Sequence, residues 1–209
     1  MTPEDAARWG TARTLGDLGL LTVAWLAGEI AETPTHMGPP MPETKSLIPV
    51  LTAVNRAGFV TENSQPGVAI EPGVAIDADS SAQRATVTGF AADDTFRALT
   101  AALADADLLI TAGRATREEN AWGPDITVTL VGGEPCTWDG GVESRSELEY
   151  HHSLTCHPDA IAALCEAWQI TIVDPQWGRN DLLWPLLEAF AASRWRWRPA
   201  GPVTPRGRR

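Results

Sequence analysis

Glu43, Thr44, Thr61 and Ser64 gather, within a short span of chain, the polar groups that a small charged ligand needs. Thr61 and Ser64 belong to Phe59-Val60-Thr61-Glu62-Asn63-Ser64-Gln65-Pro66-Gly67, whose first three residues predict a strand and whose remainder predicts a tight polar loop. Glu43 and Thr44 open a helix beside that strand. Free N–H groups at a helix start attract a carboxylate, and Glu43 can accept from an ammonium or from hydroxyls. A ligand carrying an ammonium, a carboxylate and ribose hydroxyls needs this mixture. The bland alternative is a polar turn between two strands.

Other clusters carry less. His151, His152, Cys156, His157 and Cys165 are zinc-ligand types, but their spacing fits no pair-of-pairs pattern. Pro158 interrupts the local geometry and Cys165 falls on an apolar helix face, so no metal is expected. Asp174, Arg179 and Asp181 surround Trp177; here Asn180 or Asp181 capping a helix and an ion pair of Arg179 suffice. Arg194-Trp195-Arg196-Trp197-Arg198 alternates cation and aromatic and reads as an edge strand or packed extension in preference to a membrane or nucleic-acid patch. Gly-x-Ser-x-Gly, P-loop and dinucleotide fingerprints do not occur.

The elements that must hold the central residues follow from periodicity. Leu47, Val50, Leu51 and Val54 define one face of a helix over 44–57, with Thr44 or Ser46 as cap, Pro49 in the first turn and Gly58 as stop. Thr14 or Asp17 starts a helix through Trp25 and Leu26, and 32–42, with Pro34, Pro39, Pro40 and Pro42, is a connector. Further on, 68–82 predicts a loop or weak hairpin, 83–90 a strand, 93–104 a helix and 107–112 a strand. Residues 114–120 are charged and exposed. Then come a strand over 126–131, a turn at Gly132-Gly133, a turn region over 136–141 and a short strand over 148–155. A helix runs from Pro158 to Trp168, a strand over 170–173, a loop over 174–181 and a last helix to Ala192. This irregular alternation predicts an α/β (α+β) fold: one domain over 1–198 with a mixed β-sheet flanked by helices, and a Pro/Gly/Arg-rich tail, 199–209, that is disordered.

The central stretch resembles the C-terminal regulatory domain of eukaryotic-type methylenetetrahydrofolate reductase. That family's pattern is Glu-Thr, a helix, then Asn-Arg-x-Gly-(Phe/Ile)-Leu-Thr-Ile-Asn-Ser-Gln-Pro. Here Glu43-Thr44 precedes Asn55-Arg56-Ala57-Gly58-Phe59-Val60-Thr61-Glu62-Asn63-Ser64-Gln65-Pro66 without a gap. Gln83-Arg84-Ala85-Thr86-Val87-Thr88-Gly89-Phe90 is similar to its Gln-Lys-Ala-Tyr-Leu-Glu-Phe, Trp9-Gly10 with Gly16-Asp17-Leu18 to its opening segment, and 160–168 to a late helix. The likeness is strong over 43–66, fair at 9–18 and 83–90, and weak over 91–157. Glu62 stands where the family has an apolar residue, and Thr86 and Thr88 depart from its strand. The resemblance implies binding of S-adenosylmethionine or S-adenosylhomocysteine, with Glu43, Thr44, Thr61 and Ser64 matching ligand contacts. Thr155 matches a late-strand threonine across a deletion. The family's reductase carries a flavin-bearing barrel before this domain, for which 209 residues leave no room. No flavin and no folate reduction are therefore expected. The expected function is a stand-alone sensor or regulatory subunit; the alternatives are an enzyme that consumes S-adenosylmethionine and an interaction domain without ligand.

Composition bounds the rest. A formal net charge of −11 argues against a nucleic-acid partner, which needs cationic surface. No apolar run approaches the roughly 20 residues that span a membrane. Three cysteines form no disulfide framework, as in a reducing cytoplasm. Nine tryptophans exceed what one small core readily hides, which points to a homo-oligomer or a protein partner.

Overall fold

Side-chain caps start most of the N-terminal structure. The structure, a computed structural model, describes residues 1–70, 80–115 and 124–196, with the backbone alone at 195 and 196. Thr2 caps α1 (Pro3–Trp9) by accepting from the Asp5 amide at 3.1 Å. No expectation covers α1, although Thr2-Pro3-Glu4-Asp5 is a helix-start signature. In α2 (Leu15–Leu26), Thr14 and Asp17 form a capping box, each side chain accepting from the other's amide. The connector after α2 is pinned by indole donors: Trp9 Nε1 to the Glu32 carbonyl at 3.0 Å and Trp25 Nε1 to that of Gly38 at 2.9 Å.

The expected helix over 44–57 is two pieces, a 3-10 helix at Pro42–Leu47 and α3 at Ile48–Arg56. Neither Thr44 nor Ser46 caps α3, because the 3-10 turn already occupies its start; the Thr44 amide donates to the Met41 carbonyl at 3.0 Å. Pro49 lies in the first turn and Gly58, at φ +97°, ends the helix in the left-handed region.

The strands are β1 (Phe59–Gln65), β2 (Ser81–Ala91), β3 (Leu109–Arg114), β4 (Ile126–Val131), β5 (Glu134–Asp139) and β6 (Trp168–Trp177). Their order is β3-β6-β2-β4-β5, with β1 also paired to β2. The remaining helices are α4 (Asp93–Leu103), α5 (Arg145–His152), α6 (Pro158–Glu166) and α7 (Leu183–Arg196). The fold is α+β, a sheet flanked by helices, and every pairing between the described strands is antiparallel.

Several expectations are corrected. Residues 62–65 continue β1 instead of forming a loop, because their backbone pairs with Thr86, Val87 and Thr88 of β2. Residues 134–139 form β5, folded onto β4 through Gly132-Gly133, both with positive φ. Residues 145–152 are helical, not a strand: Ser144 and Glu147 close a capping box at the start of α5. Residues 194–196 continue α7, so the edge strand expected there is not formed at those positions. The expectations for 71–79, 116–120 and the 199–209 tail lie outside the described residues.

Side-chain alternation sorts two cores onto the two faces of the sheet. Phe59, Ala85, Val87, Ala91, Ile170 and Ile172 pack with α3, α4 and α7. Val60 and Phe90 point the other way, into a core with Trp9, Leu18, Leu148, Ile161 and Leu164. Trp9, Trp25, Trp168, Trp177 and Trp184 are buried or half-buried, while Trp138 is 52% exposed. Among the described residues no helix is long and apolar enough to cross a membrane.

Candidate functional site

The second core covers only part of its face of the sheet. Beyond Phe90 that face turns polar: Thr88 of β2 pairs with Thr171 of β6, which pairs with Thr111 of β3, and Asn63 of β1 continues the row. Among the described residues the segment 139–143 crosses this row. Thr86 Oγ1 donates to the Asp139 carboxylate at 3.1 Å and Thr111 Oγ1 to the Gly140 carbonyl at 3.2 Å. Gln169 grips residue 143 by both backbone groups, accepting from the Glu143 amide at 2.7 Å and donating to its carbonyl at 2.8 Å. Ser144 then caps α5, which carries Tyr150, His151 and His152. His151 Nδ1 lies 3.0 Å from Glu143 Oε1.

Glu62 is the pivot. β1 and β2 lose register between Thr61 and Asn63, so Glu62 is the extra residue of a bulge. The close approach of β1 here requires Gly89, where a Cβ would stand 2.3 Å from the Val60 carbonyl oxygen. The bulge has two consequences. Thr61 pairs with Gly89 and Ser64 with Val87, positions on one face of β2, so two residues three apart share the α3 face. A regular strand would place them on opposite faces. Glu62 itself opens onto the other side, where it borders three adjoining spaces. One is a hollow of about 40 Å³ walled by Trp9, Trp25, Val60 and Phe90. The second is an open groove of about 630 Å³ between the 34–36 segment and α5. The third, about 360 Å³, runs over Thr88 and Thr171 toward Trp138.

Among the described residues these walls hold Glu62, Asp139 and Glu143, with His36, His151 and His152, and no lysine or arginine. Glu62 keeps open surface toward the groove, yet protein packs densely around its carboxyl because it lies on a concave floor. That desolvation, with repulsion from Glu143, pushes the carboxyl up to about 7, and the Thr35 hydroxyl offsets the rise only in part. Burial also raises Asp139, opposed by the Thr86 hydrogen bond, and Glu143, opposed by His151. Glu143 Oε2 is a buried oxygen without a hydrogen-bond partner. His152 is held below the usual histidine range by burial. Among the described residues no group of His, Cys, Asp and Glu is arranged to hold a metal ion.

The residues expected at the site divide. Thr44, Thr61 and Ser64 are associated with the α3 side of β1, against which the 3-10 helix packs, and Glu43 projects from that helix as an exposed side chain. The Thr61 hydroxyl accepts from Asn55 Nδ2 at 2.7 Å and keeps its own proton to donate. Thr155 is not in a strand: it follows α5, its amide donating to the His152 carbonyl at 3.1 Å. It stands beside Gly10 of the first helix corner. Of the groove residues, the sequence singles out His151 only as a zinc-ligand type and does not single out Asp139 or Glu143. Glu143 directly precedes the Ser144-x-x-Glu147 capping box, the one local signal that could have located it.

The family described as Domain of unknown function (DUF6919) matches residues 4–193, and the chain belongs to it. No curated protein matches the chain.

Proposed function

We propose that this chain is a stand-alone binding domain for S-adenosylmethionine or S-adenosylhomocysteine, acting as a metabolite sensor or regulatory subunit. The supporting observation is the bulge at Glu62, which turns Thr61 and Ser64 to the same face of the sheet beside the 3-10 helix that carries Glu43 and Thr44. Two hydroxyls on one face can serve one ligand. Glu43 would take its cationic or hydroxyl end. Thr44 contributes its hydroxyl alone, since its amide is engaged by Met41. Thr155, on the α1–α5 corner, would be a contact only from that other side. The reading carries a cytoplasmic location and either a second copy or a protein partner, with no flavin, metal, nucleic acid or membrane required.

Calorimetry and thermal shift with both nucleosides test it. The expected affinity is on the order of micromolar, about −8 kcal/mol, with a dose-dependent rise in melting temperature. Ser64→Ala should weaken binding several-fold, and Glu43→Gln more, by the roughly 0.5–1.5 and 1.5–3 kcal/mol of a neutral and a charged hydrogen bond. If neither nucleoside moves the melt at millimolar concentration, the reading is wrong and an interaction domain replaces it. Product formation on long incubation would make the protein an enzyme that consumes S-adenosylmethionine.

A further inference from the structure

The hollow walled by Trp9, Trp25, Val60 and Phe90 has polar groups that can be accounted for one by one. The indole N–H groups of Trp9 and Trp25 are spent on the Glu32 and Gly38 carbonyls. The Thr22 hydroxyl donates to the Leu18 carbonyl at 3.0 Å, and the Thr33 hydroxyl accepts from the His36 amide at 2.9 Å. The Thr61 hydroxyl accepts from Asn55. Pro34, Thr35 and Glu62 form the mouth, where the hollow meets the open groove. His152 is the polar group that remains inside.

His152 is 6% exposed and lines the hollow but neither adjoining groove. Its Nδ1 stands 2.9 Å from the Leu148 carbonyl, which can only accept, so Nδ1 carries the ring proton and donates it. In the neutral ring Nε2 is then an acceptor. Among the described residues Nε2 has no hydrogen-bond partner. The buried side-chain atoms that lack both surface and partner are on Gln83, Arg84 and Glu143, so Nε2 keeps surface of its own. A buried imidazole thus presents one uncommitted, reachable acceptor to an aromatic hollow.

Water matches this poorly, since a buried water takes two to four polar partners and the inner walls are Leu18, Val60, Phe90, Leu164 and two indoles. A carboxylate or phosphate brings no donor and meets no cation here. A single O–H donor on an apolar stem fits both the acceptor and the walls. The hollow, about 40 Å³, has room for roughly three water-sized groups.

We propose that the hollow binds a primary alcohol group carried on a short, unbranched apolar stem, in addition to the nucleoside site. The hydroxyl donates to His152 Nε2, and the first carbons lie among Trp9, Trp25 and Phe90. The rest of the stem leaves past Pro34 and Thr35 into the groove of about 630 Å³. There the exposed Tyr150 and Leu154, 80% and 92% open, gain an apolar partner.

The test is an NMR titration of the full chain, read on the His152 ring nitrogens and the Trp9 and Trp25 indole signals. The ligands are ethanol, 1-propanol and 1-butanol, with diethyl ether, butanoate and butylammonium as comparisons. Saturable shifts at these signals, with 1-butanol dissociating on the order of millimolar, support the proposal. Binding should tighten by about threefold per added methylene. Diethyl ether, an isomer of 1-butanol without the donor, should bind about three- to tenfold more weakly, as for one neutral hydrogen bond. His152→Asn can still donate to the Leu148 carbonyl, as Asn55 does to Leu51, but loses the Nε2 acceptor, and should show the same loss. His152→Gln, whose amide reaches the Nε2 position, should restore most of it. Four results overturn the proposal: no saturable shift, which leaves the hollow to water; ether or butanoate binding as tightly as 1-butanol; butylammonium binding more tightly, which would assign the mouth to a cation; or His152→Asn binding like the wild type. If His152→Asn does not fold, the ranking of the ligands on the wild type decides alone. None of these readouts uses a nucleoside.

Discussion

Asn55 holds Thr61 by both of its polar groups. Its Oδ1 accepts from the Thr61 amide at 3.1 Å, and its Nδ2 donates to the Thr61 hydroxyl at 2.7 Å and to the Leu51 carbonyl at 2.9 Å. Asn55 is 3% exposed, so this carboxamide is fully satisfied inside the protein. The clamp ties the end of α3 to the residue just before the bulge, and so sets where Glu62 and Ser64 emerge.

Asn55→Ala should therefore be strongly destabilising. It strands the Thr61 amide and leaves a small cavity, at about 2–4 kcal/mol, or roughly 5–15 °C of melting temperature for a chain of this size. Thr61→Val, which removes only the acceptor of one Nδ2 proton, should cost about 1–2 kcal/mol. Chemical denaturation of both variants checks the order. A neutral Asn55→Ala would mean that the clamp does not form.

The cap of α5 makes a second, independent prediction. Ser144 is 1% exposed, accepts from the Glu147 amide and donates to its carboxylate at 2.7 Å. Ser144→Ala should cost about 1 kcal/mol, within the range of 0.5–2 kcal/mol for lost caps. Equilibrium denaturation of the variant checks it.

How much of this was legible in the sequence depended on whether the signal was local. The start of α2 and the stop of α3 could be read from Thr14, Asp17 and Gly58, because capping and positive φ involve only neighbouring residues. The Gly132-Gly133 turn was equally plain. Residues 62–65 were not, because Glu-Asn-Ser-Gln has the composition of a loop and becomes a strand only by pairing with β2, some twenty residues further on. The groove was hidden for the same reason: Gln169 holds Glu143 across 26 positions, and Thr111 holds Gly140 across 29. Glu62 stood out in the sequence only as a departure from a motif. Its meaning came from the bulge, which no spacing rule reports. The strand expected over 148–155 conflicts with the capping box at Ser144, a stronger local signal that starts α5.

Thiol accessibility tests the packing of the second core. Of the three cysteines, Cys136 is exposed on β5, whereas Cys156 and Cys165 are 7% and 4% exposed. Burial also raises the thiol pKa of both buried residues, which suppresses the reactive thiolate. A chromogenic disulfide reagent at neutral pH should titrate one thiol rapidly in the native protein and three in denaturant. Two or three fast thiols would show that α6 does not pack as described.

The last prediction concerns Glu62 without any ligand. A carboxyl whose folded value is raised binds its proton more tightly in the folded than in the unfolded chain. Its contribution to stability is present below its ordinary value of 4.5 and is lost as pH rises through about 7. Asp139 and Glu143 are raised as well and act in the same sense. His152 is lowered and acts oppositely, its contribution being lost as pH falls. The slope of the wild-type curve is therefore a mixture, but the difference between wild type and Glu62→Gln isolates one group. At pH 5 the two proteins should melt within a degree or so of each other, since Glu62 is then largely protonated and glutamine resembles the neutral acid. At pH 8 Glu62→Gln should be the more stable. Discounted for the solvent that reaches the groove, the gain is ~1 kcal/mol, or about 2–4 °C. Melting curves at half-unit steps from pH 5 to 8 decide the matter. A difference that stays flat across that range would place the Glu62 carboxyl in ordinary solvent.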